Sequence, residues 1–270
     1  MMPTGSRKNL KKVKRIVVKI GSSVLLEKSG GLSERFFKNL GAQIHRLRKQ
    51  KKEIVLVSSG AIAAGMHRLG RDKRPASITQ KQALAACGQT SLMHHYEKAF
   101  GKLKIPVAQI LLTREDMENQ SRYLNARHTL FECLKMGALP VINENDTVAV
   151  EEIKWGDNDN LSALVSHLVK ADLLILLTDI DGVYTADPMV HRHAKKLALI
   201  ENIGAAHKKF AGGTKKEVSV GGMLTKLEAA EKAAHFGIPT VIAKGTEKNI
   251  LLKILAGQQQ GTLVKASRKK

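Results

Sequence analysis

Apolar runs of five or six residues alternate along the chain with longer segments whose apolar positions recur every three or four residues, from residue 15 to residue 264. The short runs have the length of strands and the long ones the period of helices, a pattern that predicts parallel β-strands joined by crossover helices. RIVVKI (residues 15–20) and EIVLVS (53–58) read as buried strands. Between them, residues 33–51 place Phe37, Leu40, Ile44 and Leu47 at helical spacing behind Ser33, a candidate N-cap, which completes one βαβ unit. Further strands are predicted over 107–112, 138–142, 173–178 and 239–243, each bracketed by Gly, Pro, Asp or Asn. Further helices are predicted over 79–99, 122–135, 160–170 and 222–235. No repeat, linker or composition break interrupts 15–264, so one α/β domain is expected there. Residues 1–14 are expected to be a basic disordered segment, 265–270 a basic tail, and 210–222 a mobile Gly/Lys-rich loop.

Composition narrows this picture in three ways. A chain of 270 residues, 43% of them hydrophobic, can bury a sizeable core. No apolar run reaches the roughly 18 residues of a membrane span, and the basic start lacks the apolar segment of a secretory signal, so a cytoplasmic protein is expected. Cys87 and Cys133 stand far apart and outside any metal-ligand spacing, which argues against a disulfide framework or a zinc site. The net charge of +21 raises nucleic-acid binding as a function class. Ten of the 45 basic residues fall in 1–15 and 265–270, which leaves 35 against 24 acids on the body, or +11. Aromatic residues are 4% of the chain, too few to interleave stacking platforms with those charges, so a solvated basic surface is the better reading.

In an open parallel sheet, ligands gather at the carboxyl ends of the strands, where loops lead into helix N-termini with free amides. Small and polar residues collect at that edge here: Lys19-Ile-Gly-Ser-Ser23, Ser58-Ser-Gly60, Asn143-Glu-Asn-Asp146 and Thr178-Asp179. The stretch WGDNDNLS (155–162) adds two aspartates and two asparagines in front of an apolar helical segment. Lys19 stands inside an otherwise apolar strand, a costly place unless its ammonium emerges at the strand end or meets an anion. Lys226, just inside the predicted helix that follows Gly221-Gly222-Met223, supplies a second cation where helix amides already favour negative charge. Two such lysines suit a phosphoryl group in transfer. Neither GxxxxGK[ST] nor GxGxxG occurs, and there is no HRD or DFG element, so a nucleotide would be held without a Walker or protein-kinase framework. His191 and His193 lie in a basic stretch without acid ligands and read as surface histidines.

In combination VVKIGSS (17–23), VSSGAIAAG (57–65), VINENDTVAVEEIKWGDNDNLSALV (141–165), LLTDIDGVYTADP (176–188) and GGMLTK (221–226) resemble the amino acid kinase family. NEND followed ten residues later by GDNDNLSA resembles, more narrowly, the branch that phosphorylates the side-chain carboxylate of L-glutamate. The resemblance implies a three-layer αβα sandwich around a mostly parallel sheet of about eight strands. It implies transfer of the γ-phosphate of ATP to glutamate, the first step of proline synthesis, with Mg²⁺ carried mainly by the ATP phosphates. Residue by residue, Lys19, Lys226 and Asp159 match the catalytic positions, with Asp159 orienting the two lysines. Ser59, Gly60, Asn143, Asp146, Asp157 and Asn158 match contacts to glutamate, with Asp157 at its α-amino end. Lys19, Gly21, Thr178, Asp179, Gly221, Gly222, Met223 and Lys226 match contacts to ATP.

The same resemblance implies feedback inhibition by proline, a homodimer or homotetramer, and a hand-off of product to glutamate-5-semialdehyde dehydrogenase. Two departures stand out: Ser219-Val220 occupies the place of a usual Gly-Thr pair before GGM, and no C-terminal PUA domain is expected within the chain. The scaffold also serves N-acetylglutamate, aspartate and UMP as acceptors, and these remain alternatives alongside a basic nucleic-acid-binding protein built on a retired kinase.

Overall fold

All six residues of Leu173–Thr178 are buried, and a run with no polar face at all belongs to a strand covered on both sides. The computed structural model describes residues 6–27, 29–73, 75–149, 158–188, 190–205, 207–208 and 222–267, and in it this run is β5. The other strands among the described residues are β1 (Arg15–Ile20), β2 (Glu53–Ser58), β3 (Val107–Leu112), β4 (Leu139–Glu144), β6 (Leu199–Ile200), β7 (Thr240–Lys244) and β8 (Thr262–Val264). Their order in the sheet is β3-β4-β2-β1-β5-β7-β8-β6. The pairs β2–β4, β3–β4, β5–β7 and β6–β8 run parallel, and β7–β8 runs antiparallel. Helices connect the strands and flank the sheet, as expected for the three-layer α/β sandwich.

The helices are α1 (Ser22–Leu25), α2 (Glu34–Lys49), α3 (Ala61–Arg68), α4 (Ile78–Gly101), α5 (Arg114–Glu118), α6 (Gln120–Lys135), α7 (Asn158–Leu168), α8 (Met223–His235) and α9 (Ile250–Leu255). The N-cap prediction for α2 holds, since the Ser33 hydroxyl accepts from the Phe36 N–H at 3.4 Å. Its apolar stripe, Phe37, Leu40, Ile44 and Leu47, is buried as the spacing predicts. Predicted strands 138–142 and 239–243 begin one residue later, and both run further than expected. Helix α3, absent from the prediction, spans an Ala/Gly segment without an apolar period.

The chain divides into two compact units where the sequence analysis expects one domain. One is contiguous, Ile20–Trp155; the other is built from Met1–Lys19 and Gly156–Lys270. A boundary of this kind leaves no linker signature, because it falls at a strand end and within a motif.

In the contiguous unit, α3 and α4 touch backbone to backbone. A methyl group on Gly88 would lie 1.8 Å from the Ala61 carbonyl oxygen, and one on Gly65 would lie 1.9 Å from that of Leu84. Glycine is required at both crossings by space.

The expectation of disorder over 1–14 is corrected for residues 6–14. Arg7–Lys12 forms a 3₁₀ helix capped by Ser6, with Leu10 and Val13 buried beneath it. Arg7 donates from Nη1 to the carbonyls of Gln260 (2.6 Å) and Gln258 (3.3 Å), and from Nη2 to those of Gly261 (2.8 Å) and Ala198 (2.9 Å). Asp172 accepts from the backbone N–H groups of Lys14 (2.7 Å) and Arg15 (2.9 Å). Two apolar residues three apart and the Arg7 guanidinium anchor the segment, while Lys8, Lys11, Lys12 and Lys14 are exposed. At the other end, Ala266 is buried and the Ser267 N–H reaches the Ala234 carbonyl at 3.0 Å, so the tail packs at least that far. The predicted mobile loop lies outside the described residues except for Gly222, the N-cap of α8.

Candidate active site

Lys19, the next-to-last residue of β1, is only 3% exposed, and its ammonium does not escape to water. It meets Asp159 instead, with Nζ 2.5 Å from Oδ1. Asp159 is fully buried in the first turn of α7, where the helix dipole favours an acid. Its other oxygen, Oδ2, lies 3.1 Å from Lys226 Nζ, and Lys226 is itself 4% exposed in the first turn of α8. The Thr225 hydroxyl lies 3.1 Å from the same oxygen and 2.8 Å from the Gly222 carbonyl, which ties the helix start to the carboxylate. Two buried ammonium groups thus share one buried carboxylate, and the trio has a formal charge of +1. Such an arrangement suits an anion that arrives and leaves, because two cations facing one carboxylate keep a net positive charge to meet it.

Other predicted residues of this unit fall on the ends of its elements. Thr178 closes β5 with its hydroxyl 2.9 Å from Asp179 Oδ1. Asn158 is the first residue of α7, and Met223 the first of α8. Asp157 and Gly221 lie outside the described residues.

The contiguous unit carries the remaining candidates, and they are uncharged apart from Asp146. Gly21 caps α1, and the Ser59 N–H bonds the Ile20 carbonyl at 3.2 Å, which joins the two loops that follow β1 and β2. Gly60 holds φ at +97°, a left-handed value that turns the chain into α3 without a side-chain cap. Asn143, near the end of β4, is 2% exposed, and Asp146 sits on the turn that follows.

A set of partners for these residues went unnoticed in the sequence. Gln82, Gln89 and Tyr96 recur every seven residues along α4, two helical turns apart, and so share one face. Gln82 donates to the Ala149 carbonyl at 3.1 Å, Gln89 accepts from Asn143 at 2.8 Å, and the Tyr96 hydroxyl lies 2.8 Å from that of Ser58. Burial raises the pKa of the Tyr96 phenol, more than the Ser58 hydrogen bond lowers it, so the group stays neutral at any working pH. The seven-residue polar spacing inside a long helix was the available signal.

The model of the amino acid kinase family matches residues 14–244. The chain belongs to the amino acid kinase family. Within that family it is 53% identical over 254 residues to a glutamate 5-kinase of Geobacter metallireducens, across 94% of this chain and 68% of that relative. It is 49% identical over 252 residues to a glutamate 5-kinase of Bordetella parapertussis, across 93% of this chain and 67% of that relative. Among solved structures, a UMP kinase from Bacillus anthracis superposes with a TM-score of 0.62 at 15% identity, covering 95% of this chain and 97% of that one, a likeness of fold. Amino acid kinases transfer phosphoryl groups, and the buried trio supplies cations of the kind that transfer requires. Among the described residues there is no cluster of three or more His, Cys, Asp or Glu that could hold a metal, and no helix long and apolar enough to cross a membrane.

Proposed function

We propose that the chain transfers the γ-phosphate of ATP to the side-chain carboxylate of L-glutamate, the activity for which its relatives at about 50% identity are named. The observation that carries the mechanism is the buried trio Lys19–Asp159–Lys226. A carboxylate is already ionised near neutral pH, so the reaction needs no general base; the obstacle is repulsion between two anions. Lys19 and Lys226 relieve it by meeting the negative charge on the transferring group, and Asp159 holds both ammonium groups in place. Backbone amides at Gly21 and at the start of α8, with Thr178 and Asp179, hold the nucleotide. Mg²⁺ would be held mainly by the ATP phosphates and would neutralise part of their charge. Ser59, Gly60, Asn143, Asp146, Asp157 and Asn158 hold glutamate, with the acids serving its ammonium group.

The wider reading is that 15–264 forms the kinase domain of a cytoplasmic homodimer or homotetramer. It makes the first intermediate of proline synthesis and passes it to glutamate-5-semialdehyde dehydrogenase. Proline competes for the glutamate sites, so a proline titration at sub-saturating glutamate should lower the initial rate; a flat response would remove that regulation. Sedimentation would give the assembly.

The decisive experiment traps the product. An acyl phosphate is a mixed anhydride, and hydroxylamine converts it to a hydroxamate. With ATP and Mg²⁺, L-glutamate should give hydroxamate readily. Aspartate, one methylene shorter, should react on the order of 100-fold more slowly, and N-acetylglutamate, which lacks the ammonium, should be far behind. If N-acetylglutamate or UMP is the best acceptor, the glutamate reading falls and the family stands.

A further inference from the structure

On the polar stripe of α4, Gln89 differs from its two companions. The Glu144 N–H donates to Asn143 Oδ1 at 2.9 Å, which makes Oδ1 the acceptor end of that amide. Asn143 Nδ2 is then the end facing Gln89, and it donates to Gln89 Oε1 at 2.8 Å. Both amide orientations are therefore fixed by a backbone N–H, whose role as donor is not open to choice. The consequence falls on the far side of Gln89. Its Nε2 is buried and has no hydrogen-bond partner among the described residues. A buried amide nitrogen without an acceptor is uncommon in folded proteins and calls for a cause.

We propose that Gln89 Nε2 donates to the α-carboxylate of the acceptor substrate and is a specificity-determining residue of this kinase. The proposal rests on glutamate being the acceptor. An amide nitrogen offers only donors, so the ligand atom opposite must accept. The substrate ammonium is itself a donor and cannot fill that place. The reacting γ-carboxylate loses its charge as it takes the phosphoryl group, so a fixed donor bonded to it would hold the ground state more tightly than the transition state. The α-carboxylate is the acceptor that remains. Asp146, three residues beyond Asn143, brings an acid to the same strand-to-turn segment. An amide donor beside an acid matches an α-carbon, which bears a carboxylate and an ammonium together.

The test compares L-glutamate with its α-amide, in which only the α-carboxylate is changed, by hydroxamate formation in wild-type enzyme, Gln89→Glu and Gln89→Met. Gln89→Glu keeps an oxygen for Asn143 but replaces the donor by an anion. The glutamate KM should rise ~10–100-fold, as for a lost charge-assisted hydrogen bond, while the ATP KM stays within about twofold. The preference for glutamate over the α-amide should shrink or reverse, because a carboxylate accepts from the amide N–H₂ and repels the α-carboxylate. Gln89→Met brings no charge and decides the matter if Gln89→Glu does not fold. It should raise the glutamate KM ~10-fold and the α-amide KM less. A residue that merely positions Asn143 would shift both acceptors by the same factor, and that outcome overturns the proposal. So does a glutamate KM within about twofold of wild type in a variant that melts normally. If the wild-type enzyme gives no hydroxamate with L-glutamate but gives one with another acceptor, the glutamate reading fails and this proposal with it.

Discussion

The two compact units treat their polar groups in opposite ways. In the discontinuous unit, Lys19, Asp159 and Lys226 bury three formal charges, each at most 4% exposed. In the contiguous unit, Asn143 hydrogen-bonds Gln89 and Ser58 hydrogen-bonds Tyr96, contacts between neutral groups. Neutral amides and hydroxyls recognise a small ligand by the direction of their hydrogen bonds, and one left unpaired costs less than an unpaired buried charge. Buried charges lose a great deal if one of their number is removed, and they stabilise charge that exists only while bonds are changing. Substitutions among the neutral contacts should therefore act on KM, and those in the charged trio on kcat.

The largest effect is expected for Asp159→Ala, which leaves two buried ammonium groups without their shared carboxylate. Denaturant unfolding should show a loss of about 3–5 kcal/mol, and kcat should fall at least ~100-fold. A stable, active variant would mean that the trio is ornamental. Next come Lys19→Met and Lys226→Met, each expected to lower kcat at least ~100-fold, about 2.7 kcal/mol, with modest changes in either KM. Near-normal turnover in one of them would take that lysine out of the mechanism. In the contiguous unit, Asp146→Ala should raise the glutamate KM ~10-fold or more with the ATP KM little changed. An effect on kcat alone would erase the proposed division of labour. The smallest change belongs to Tyr96→Phe. Thermal or denaturant melts should show a loss of about 1 kcal/mol for one neutral hydrogen bond, with both KM values unchanged.

The strands that the sequence made most legible are the six-residue, mainly apolar β1, β2, β3 and β5, whose limits match the expectation residue for residue. The strands it hid, β6 and β8, have two and three residues, too few for any period. Helix α3 was hidden for a different reason. It packs against α4 through Gly65 and Gly88, so contact is made by backbone where a prediction looks for large side chains. The charged trio was readable because a lysine in an apolar strand is costly and demands a partner. The spacing could not name that partner, and the resemblance supplied Asp159. The neutral contacts of the contiguous unit were less readable, since glutamines and a tyrosine seven residues apart resemble an ordinary helix surface until the neighbours of Ser58 and Asn143 are known.

The division of the chain also sets an order of assembly. Residues Ile20–Trp155 follow one another, and every group that forms their unit has left the ribosome once Trp155 is clear. At about 5–20 residues per second, that stretch takes roughly 7–27 s to make. The other unit cannot close in that time, because β1 waits for its neighbour β5, and Arg7 waits for carbonyls 251 to 254 residues further along at 258, 260 and 261. Lys19 is made early, with Asp159 still 140 residues from synthesis and Lys226 further off. The nascent chain can therefore shape its contiguous unit long before it gathers its buried charges. Phosphoryl transfer should be absent until Asp159 and Lys226 have both been made, and pausing just past Trp155 should leave a protease-resistant core with no kinase activity.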